Sequence, residues 1–175
     1  LRTAMSRIRD ETADFSKDGL PDDLLIGISR VMMVACGSAM HAGLVARGFI
    51  EQLAGVPVDV EIASEFRYRN PLVTPNALMV FISQSGETAD TLAAMRMAQR
   101  KGARMLAVVN AKGSTLAREC PHVLYTQAGP EIAVASTKAF TAQLMAMYLL
   151  ALRMAQLNGN SPEAEIRRQT QNLLG

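Results

Sequence analysis

The chain has 175 residues, of which 49% are hydrophobic, and its 18 basic and 16 acidic residues give a net charge of +2. This length predicts one domain with one substantial core. The charges are scattered and form no basic cluster, so a nucleic-acid partner is not expected. Cys36 and Cys120 lie far apart without a metal-ligand spacing, which predicts neither a disulfide framework nor a metal site and favours a reducing cytoplasm.

The sequence predicts neither a signal peptide nor a membrane span. The first ten residues are charged rather than apolar, so no signal peptide is predicted, and the missing initiating methionine suggests a piece of a longer protein. The longest apolar stretch, Ala139 to Leu152, is shorter than the roughly 20 residues that cross a bilayer. We expect it to form a helix that is buried inside the domain or under a partner subunit.

From residue 31 onward, short apolar runs alternate with helical patterns, which predicts an α/β fold of parallel strands joined by crossover helices. Residues 1–29 are interpreted as an N-terminal helical segment, 30–156 as the α/β core and 161–174 as a C-terminal helix of the same single domain. The predicted strands are Val31–Cys36, Val58–Ile62, Leu78–Ile82, Met105–Val109 and Val123–Tyr125.

The helices between these strands have readable ends. The first crossover helix is predicted to follow Ser38 and to end at Gly55, and the second to run from the Ser-Gly-Glu-Thr turn to Gly102. A short helix is predicted over 114–119, and Ser161-Pro162-Glu163 is typical of a helix N-terminus. The core-facing stripe of the first crossover helix is predicted to be Ala42, Val45, Ala46, Phe49 and Leu53. Leu44 and Ile50 lie off this stripe, where other helices or a second subunit could cover them.

The strand patterns also predict the topology. Apolar and acidic residues alternate within Val58–Ile62, and Val123–Tyr125 is short, so these two strands are placed at the edges of the sheet. The strand order is then 2-1-3-4-5, in a three-layer α-β-α sandwich of the flavodoxin-like, doubly wound type. This order opens a crevice at the carboxyl ends of the first and third strands. We therefore expect the turn at 36–38 to lie beside the loop at 83–88.

Residues 83–88, Ser-Gln-Ser-Gly-Glu-Thr, place three hydroxyls around a glycine where a buried strand turns into a helix. Gly86 allows backbone N–H groups to approach an anion, and the helix N-terminus adds unpaired N–H groups and roughly half a positive charge. The chain has neither a nucleoside triphosphate loop nor a dinucleotide loop. The pattern therefore predicts a site for a single phosphate on a small molecule, with ordinary helix capping as the alternative.

Other polar segments bear on this site. The Cys36-Gly37-Ser38 turn favours the phosphate interpretation, because two turns of glycine and hydroxyl residues at one crevice exceed what capping requires. Residues 131–138, Glu-Ile-Ala-Val-Ala-Ser-Thr-Lys, either line the site or cap the long apolar helix. Glu87 could act as a base, although a structural role in the first helical turn is slightly favoured. Cys36 is interpreted as a small apolar filler rather than as a nucleophile.

Three segments, 58–69, 83–92 and 131–141, together resemble the first sugar-isomerase (SIS) domain of the glutamine–fructose-6-phosphate aminotransferase family. The resemblance covers about residues 30–156. It implies a domain that binds fructose 6-phosphate or glucosamine 6-phosphate, within an enzyme that makes glucosamine 6-phosphate from fructose 6-phosphate and glutamine. It implies no cofactor and no metal. As partners it implies a homodimer and, in the full-length chain, a second SIS domain and a glutaminase domain.

The same resemblance implies the site residues. The phosphosugar-binding set is Cys36, Gly37, Ser38, Ser83, Gln84, Ser85, Gly86, Thr88, Val134 and Ser136, and Glu87 and Lys138 are weaker candidates. The family often has Cys-Gly-Thr-Ser where this chain has Cys-Gly-Ser-Ala, so Ala39 lacks a hydroxyl and weaker binding is expected. The family's catalytic groups lie in the second SIS domain and the C-terminal tail. No catalytic residue is therefore expected here, and the isolated chain should bind phosphosugar without turning it over.

Two other functions remain open at this point. One is a stand-alone SIS module that senses a phosphosugar and regulates a partner, and the other is a different SIS phosphosugar isomerase or a deglycase. The length of the three matching segments favours the aminotransferase.

Overall fold

The computed structural model of the chain describes residues 5–130 and 137–174. Its centre is a parallel sheet of five strands, and their arrangement in the sheet confirms the predicted α/β class and the order 2-1-3-4-5. Two strands have the predicted bounds, and the other three differ by one residue at one or both ends. The strands are β3 Arg30–Ala35, β4 Val58–Ile62, β5 Ala77–Ser83, β6 Arg104–Val109 and β7 Val123–Tyr125.

Helices cover both faces of the sheet and give it the three layers that were predicted. Each face has its own apolar core, one including Met33 and Leu150 and the other including Phe66, Phe81 and Met95. The helices are α1 Gly37–Ala54, α2 Ala63–Arg69, α3 Ala89–Arg100, α4 Thr115–Glu119, α5 Thr137–Asn158 and α6 Glu163–Leu174.

The buried face of α1 confirms the predicted stripe at Ala42, Ala46 and Leu53, and Phe49 packs against the core; the prediction is wrong only for Val45. Val45 is 43% exposed, whereas Ile50 is fully buried and therefore unavailable to a second subunit; Leu44 remains 47% exposed. The helix also approaches the sheet closely at Gly43, because a Cβ added to this residue would lie only 3.3 Å from Val60 Cγ1. Gly43 has no side chain and carries no hydrophobic signal, so the apolar pattern alone could not place it on the buried face.

The N-terminal segment is not helical over residues 6–29, which corrects the prediction for that part of the chain. It contains the two-stranded antiparallel ribbon of β1 Ile8–Arg9 and β2 Thr12–Ala13, followed by 3₁₀ turns at Ser16–Asp18 and Asp22–Leu24. Apolar side chains of this segment, including Phe15, pack into the first core. They are irregularly spaced along the sequence, so no single periodicity describes them.

The long apolar stretch forms α5, which is buried against the first core within this chain. Among the described residues, none of the helices combines the length and apolar character that a membrane crossing requires. The last helix begins at Glu163, and Ser161 does not have the predicted capping role. Its hydroxyl donates instead to the Leu53 carbonyl at 2.6 Å, and the side-chain amide of Asn160 donates to the Ala54 carbonyl at 2.5 Å. These two side chains thereby satisfy carbonyls at the C-terminus of α1.

Candidate functional site

A cavity of about 250 Å³ opens at the carboxyl ends of β3 and β5, where the crossovers leave in opposite directions. The turn at 36–38 and the loop at 83–88 both line it, as the strand order predicted. This cavity is slightly smaller than the usual range of ligand pockets, roughly 300–1,000 Å³, so it suits a small ligand. The lining residues are Cys36, Gly37, Ser38, Ala39, Ile82, Ser83, Gln84, Ser85, Thr88, Ala139, Phe140 and Gln143.

Two helix N-termini begin at this cavity. Helix α1 starts after Cys36 and α3 starts after Thr88, and neither of these N-cap residues makes a side-chain capping hydrogen bond. Capping side chains normally occupy one or more of the first N–H groups of a helix. Because they do not do so here, backbone donors and the positive ends of two helix dipoles remain available to an anion in the cavity.

The three hydroxyls of the loop are arranged by short local hydrogen bonds. The Gly86 amide donates to Ser83 Oγ at 3.0 Å, and Ser83 Oγ lies 3.3 Å from Thr88 Oγ1. The Glu87 amide donates to Ser85 Oγ at 3.2 Å. Ser83 and Ser85 therefore each accept a backbone hydrogen bond. Ser85 keeps its proton, and so does whichever hydroxyl of the Ser83–Thr88 pair accepts from the other, which suits an acceptor ligand such as a phosphate. The Thr88 hydroxyl does not cap α3, so the capping alternative fails for this residue.

The far side of the loop is fixed to the next strand–helix connection. The Gln84 carbonyl accepts hydrogen bonds from the amides of Asn110 and Ala111 at 3.2 and 3.1 Å, and the Gly86 carbonyl accepts one from Leu116 at 3.0 Å. These bonds use backbone groups that face away from the cavity. The loop is thus held in place without occupying the donors that face a ligand.

Gly86 does not line the cavity, although it was predicted among the binding residues. Its φ is +65°, and a Cβ at this position would lie 2.1 Å from Ser114 Oγ and 2.8 Å from Val109 Cγ2. Real Cβ atoms essentially never come within 3.0 Å of other heavy atoms. The glycine therefore allows both a left-handed turn and close packing of the loop on the residues behind it.

The two weaker candidates point elsewhere. Glu87 is exposed, and its Oε1 accepts a hydrogen bond from the Thr115 amide at 2.7 Å, so it serves the N-terminus of α4. This hydrogen bond lowers the pKa of the Glu87 carboxyl, which is unfavourable for a general base. The Lys138 ammonium donates to the Pro130 carbonyl at 2.6 Å and does not line the cavity.

The wall contributed by α5 was missed at the sequence level. Ala139, Phe140 and Gln143 line the cavity from the first two turns of this helix, and Gln143 is only 2% exposed. A glutamine inside a long apolar stretch was the available signal. The predicted contacts Val134 and Ser136, with the rest of 131–136, lie outside the described residues.

The described lining contains no carboxylate, imidazole or ammonium group. Its polar groups are hydroxyls, amides, backbone N–H groups and the free thiol of Cys36, which is partly buried. Across the described residues, no group of three or more His, Cys, Asp or Glu side chains could hold a metal ion. Such a lining can bind and orient an anion, but it offers no strong acid or base for proton transfer.

Comparison with known proteins relates this fold and site to one family. The profile of the SIS domain family matches residues 24–153. The chain is 56% identical over 147 residues to glutamine–fructose-6-phosphate aminotransferase [isomerizing] of Clostridium tetani, covering 84% of this chain and 24% of that protein. The corresponding enzyme of Symbiobacterium thermophilum is 58% identical over 150 residues, covering 86% of this chain and 25% of that protein.

A solved structure shows the same relationship. The C-terminal domain of glucosamine-fructose-6-phosphate aminotransferase from Francisella tularensis superposes with a TM-score of 0.88 at 38% identity, covering 98% of this chain and 48% of that chain. The present chain therefore spans about a quarter of the length of the curated relatives it matches and about half of that C-terminal domain.

Proposed function

The chain belongs to the SIS domain family, and we propose on that premise that it is the phosphosugar-binding domain of a glutamine–fructose-6-phosphate aminotransferase. The observation that carries the proposal is the cavity at the carboxyl ends of β3 and β5. There, two helix N-termini without side-chain caps meet the hydroxyls of Ser83, Ser85 and Thr88.

The chemistry of this cavity favours a phosphate monoester. Such a group carries about −1.5 to −2 charges near pH 7 and accepts several hydrogen bonds. The neutral hydroxyls and backbone amides supply donors, and the helix dipoles supply partial positive charge. Because no lysine or arginine of the described residues lines the cavity, the phosphate is held without a full opposite charge, and binding should be weak enough for substrate and product to exchange.

The proposed ligands are fructose 6-phosphate and glucosamine 6-phosphate. The Ser38 hydroxyl and the backbone amides of the Cys36–Ser38 turn would face the sugar while the loop at 83–88 holds its phosphate. The names of the relatives and the identity of more than 50% over most of the chain support this choice of sugar. Val134 and Ser136, which are not among the described residues, are proposed to complete the sugar side of the site.

The reaction itself is assigned to the longer protein. We propose that a second SIS domain supplies the acid–base groups that the described lining lacks, and that a glutaminase domain supplies ammonia. A homodimer and a cytoplasmic location belong to the same proposal. The exposed Leu44 is compatible with a dimer interface. The two free cysteines, Cys36 and Cys120, are compatible with a reducing cytoplasm.

Calorimetry with the chain tests the proposal. Titration with fructose 6-phosphate, glucosamine 6-phosphate, inorganic phosphate and unphosphorylated fructose should give binding of the two phosphosugars, weaker binding of inorganic phosphate and none of fructose. A separate assay with fructose 6-phosphate and ammonia should detect no glucosamine 6-phosphate. Failure of both phosphosugars to bind would contradict the proposed binding function, and turnover by the chain alone would contradict the assignment of chemistry to other domains.

A further inference from the structure

Gln143 is a buried polar residue in the second turn of the largely apolar helix α5, and the phosphate-binding loop does not account for it. It is 2% exposed, while the neighbours on its helix, including Ala142, Ala146 and Met147, are buried and apolar. Burying an amide costs free energy unless the amide is hydrogen-bonded, so a glutamine at such a position needs a polar partner.

The surroundings of Gln143 include the cavity of the proposed phosphosugar site. Three residues of α5 form one wall of this cavity, and they lie at positions i, i+1 and i+4 of the helix: Ala139, Phe140 and Gln143. The first two side chains are apolar. Gln143 is therefore the sole polar side chain that the described part of α5 contributes to the lining.

The chemical character of an amide indicates what it recognises. The phosphate already has donors from two helix N-termini and from the Ser85 and Thr88 hydroxyls. A glutamine side chain carries two N–H donors and one acceptor oxygen, and a sugar hydroxyl is both a donor and an acceptor. An amide matches a hydroxyl on both counts, whereas its acceptor oxygen is of no use to a phosphate dianion.

We propose that Gln143 is a specificity-determining residue that hydrogen-bonds a hydroxyl of the phosphosugar's carbon chain. This inference rests on the proposed function of the cavity. In this proposal the α5 wall distinguishes a sugar phosphate from a bare phosphate, and the loop at 83–88 binds the phosphate itself. A site that is built to hydrogen-bond a hydroxyl disfavours ligands that lack one, because its buried polar group is then left unpaired.

The test compares two ligands across matched variants of the chain. Gln143→Met keeps the length and helix propensity of the side chain and removes the amide. The control is Gln156→Met, which makes the same change in the same helix away from this cavity. Binding of fructose 6-phosphate and of inorganic phosphate is measured by calorimetry, and folding is checked by thermal denaturation.

We expect Gln143→Met to weaken fructose 6-phosphate binding about tenfold, in line with the loss of one buried hydrogen bond, and to leave the affinity for inorganic phosphate within about twofold. Gln156→Met should change neither affinity. Equal losses for both ligands would overturn the assignment of Gln143 to a hydroxyl, and unchanged fructose 6-phosphate affinity would overturn its role altogether. If wild type binds no phosphosugar, the proposed function fails and this inference fails with it.

A second variant covers the case in which the methionine disrupts folding. Gln143→Glu preserves the shape of the side chain, removes its N–H donors and adds a negative charge in the cavity. It should weaken both ligands, and fructose 6-phosphate by the larger factor. Unchanged binding of fructose 6-phosphate to a folded Gln143→Glu chain would contradict the proposal independently of the methionine variant.

Discussion

Replacing Gly86 with alanine should destabilise the fold and distort the loop at 83–88. Two costs add at this position. A non-glycine residue at φ +65° costs roughly 1–2 kcal/mol. The new Cβ would lie 2.1 Å from Ser114 Oγ and 2.6 Å from Ser114 Cβ, and overpacking of this kind costs roughly 1–3 kcal/mol. The sum is about 2–5 kcal/mol, a large part of the roughly 5–15 kcal/mol that stabilises a domain.

The control variant Gly113→Ala separates the two costs. Gly113 has a similar φ of +72°, but a Cβ there would meet no atom within 4 Å. Urea denaturation should therefore give a loss of about 1–2 kcal/mol for Gly113→Ala and about 1–3 kcal/mol more for Gly86→Ala. The Gly86 variant should also bind inorganic phosphate more weakly, because the Gly86 amide that donates to Ser83 Oγ must move. Equal destabilisation of the two variants would refute the argument from close packing behind the loop.

Two further predictions concern charged groups outside the cavity. Because its hydrogen bond to the Thr115 amide lowers the pKa of Glu87, the Glu87 carboxylate should stabilise the fold above its ordinary pKa, with the effect lost as the pH falls through the lowered value. Glu87→Ala should accordingly lower the urea midpoint at pH 7, and by less and less as the pH falls below 4.5, while phosphate affinity at pH 7 should not change. Asp18 pairs with Arg7, whose side chain is 4% exposed, so Asp18→Ala should cost about 3–5 kcal/mol in urea denaturation, because it leaves a buried charge unpaired. Removing Asp59 from its exposed pair with Arg30 should cost only about 0–1 kcal/mol, and similar losses for the two aspartates would contradict this distinction.

The sheet was predictable because its strands are short apolar runs bounded by turn residues, and because the alternation in Val58–Ile62 identifies an edge. The same patterns failed where burial does not follow a single period. Helix α2 is only seven residues long and buries Ala63 and Phe66, too few positions to establish a helical repeat. Gly43 faces the sheet on α1 without contributing to an apolar stripe, and the N-terminal ribbon packs through irregularly spaced side chains.

The candidate site was predictable as far as topology determines it. The strand order places Cys36–Ser38 beside Ser83–Thr88, and the structure has both on one cavity. Sequence could not assign directions to individual side chains. Glu87 turns toward α4, and Gly86 faces Ser114 rather than a ligand, because the loop is packed against the next strand–helix connection. The long apolar stretch predicted that α5 is buried but not that the Gln143 position meets a cavity.

The most direct test of the phosphate site is calorimetry of the double variant Ser85→Ala/Thr88→Ala with fructose 6-phosphate. Each hydroxyl that donates to a charged ligand is worth roughly 1.5–3 kcal/mol, so affinity should fall about a hundredfold or more. The matched control Ser29→Ala/Thr74→Ala removes the same two hydroxyl types at the opposite end of the sheet and should bind as wild type does. Wild-type affinity in the Ser85/Thr88 variant, with its fold intact, would contradict the assignment of the loop at 83–88 as the phosphate site.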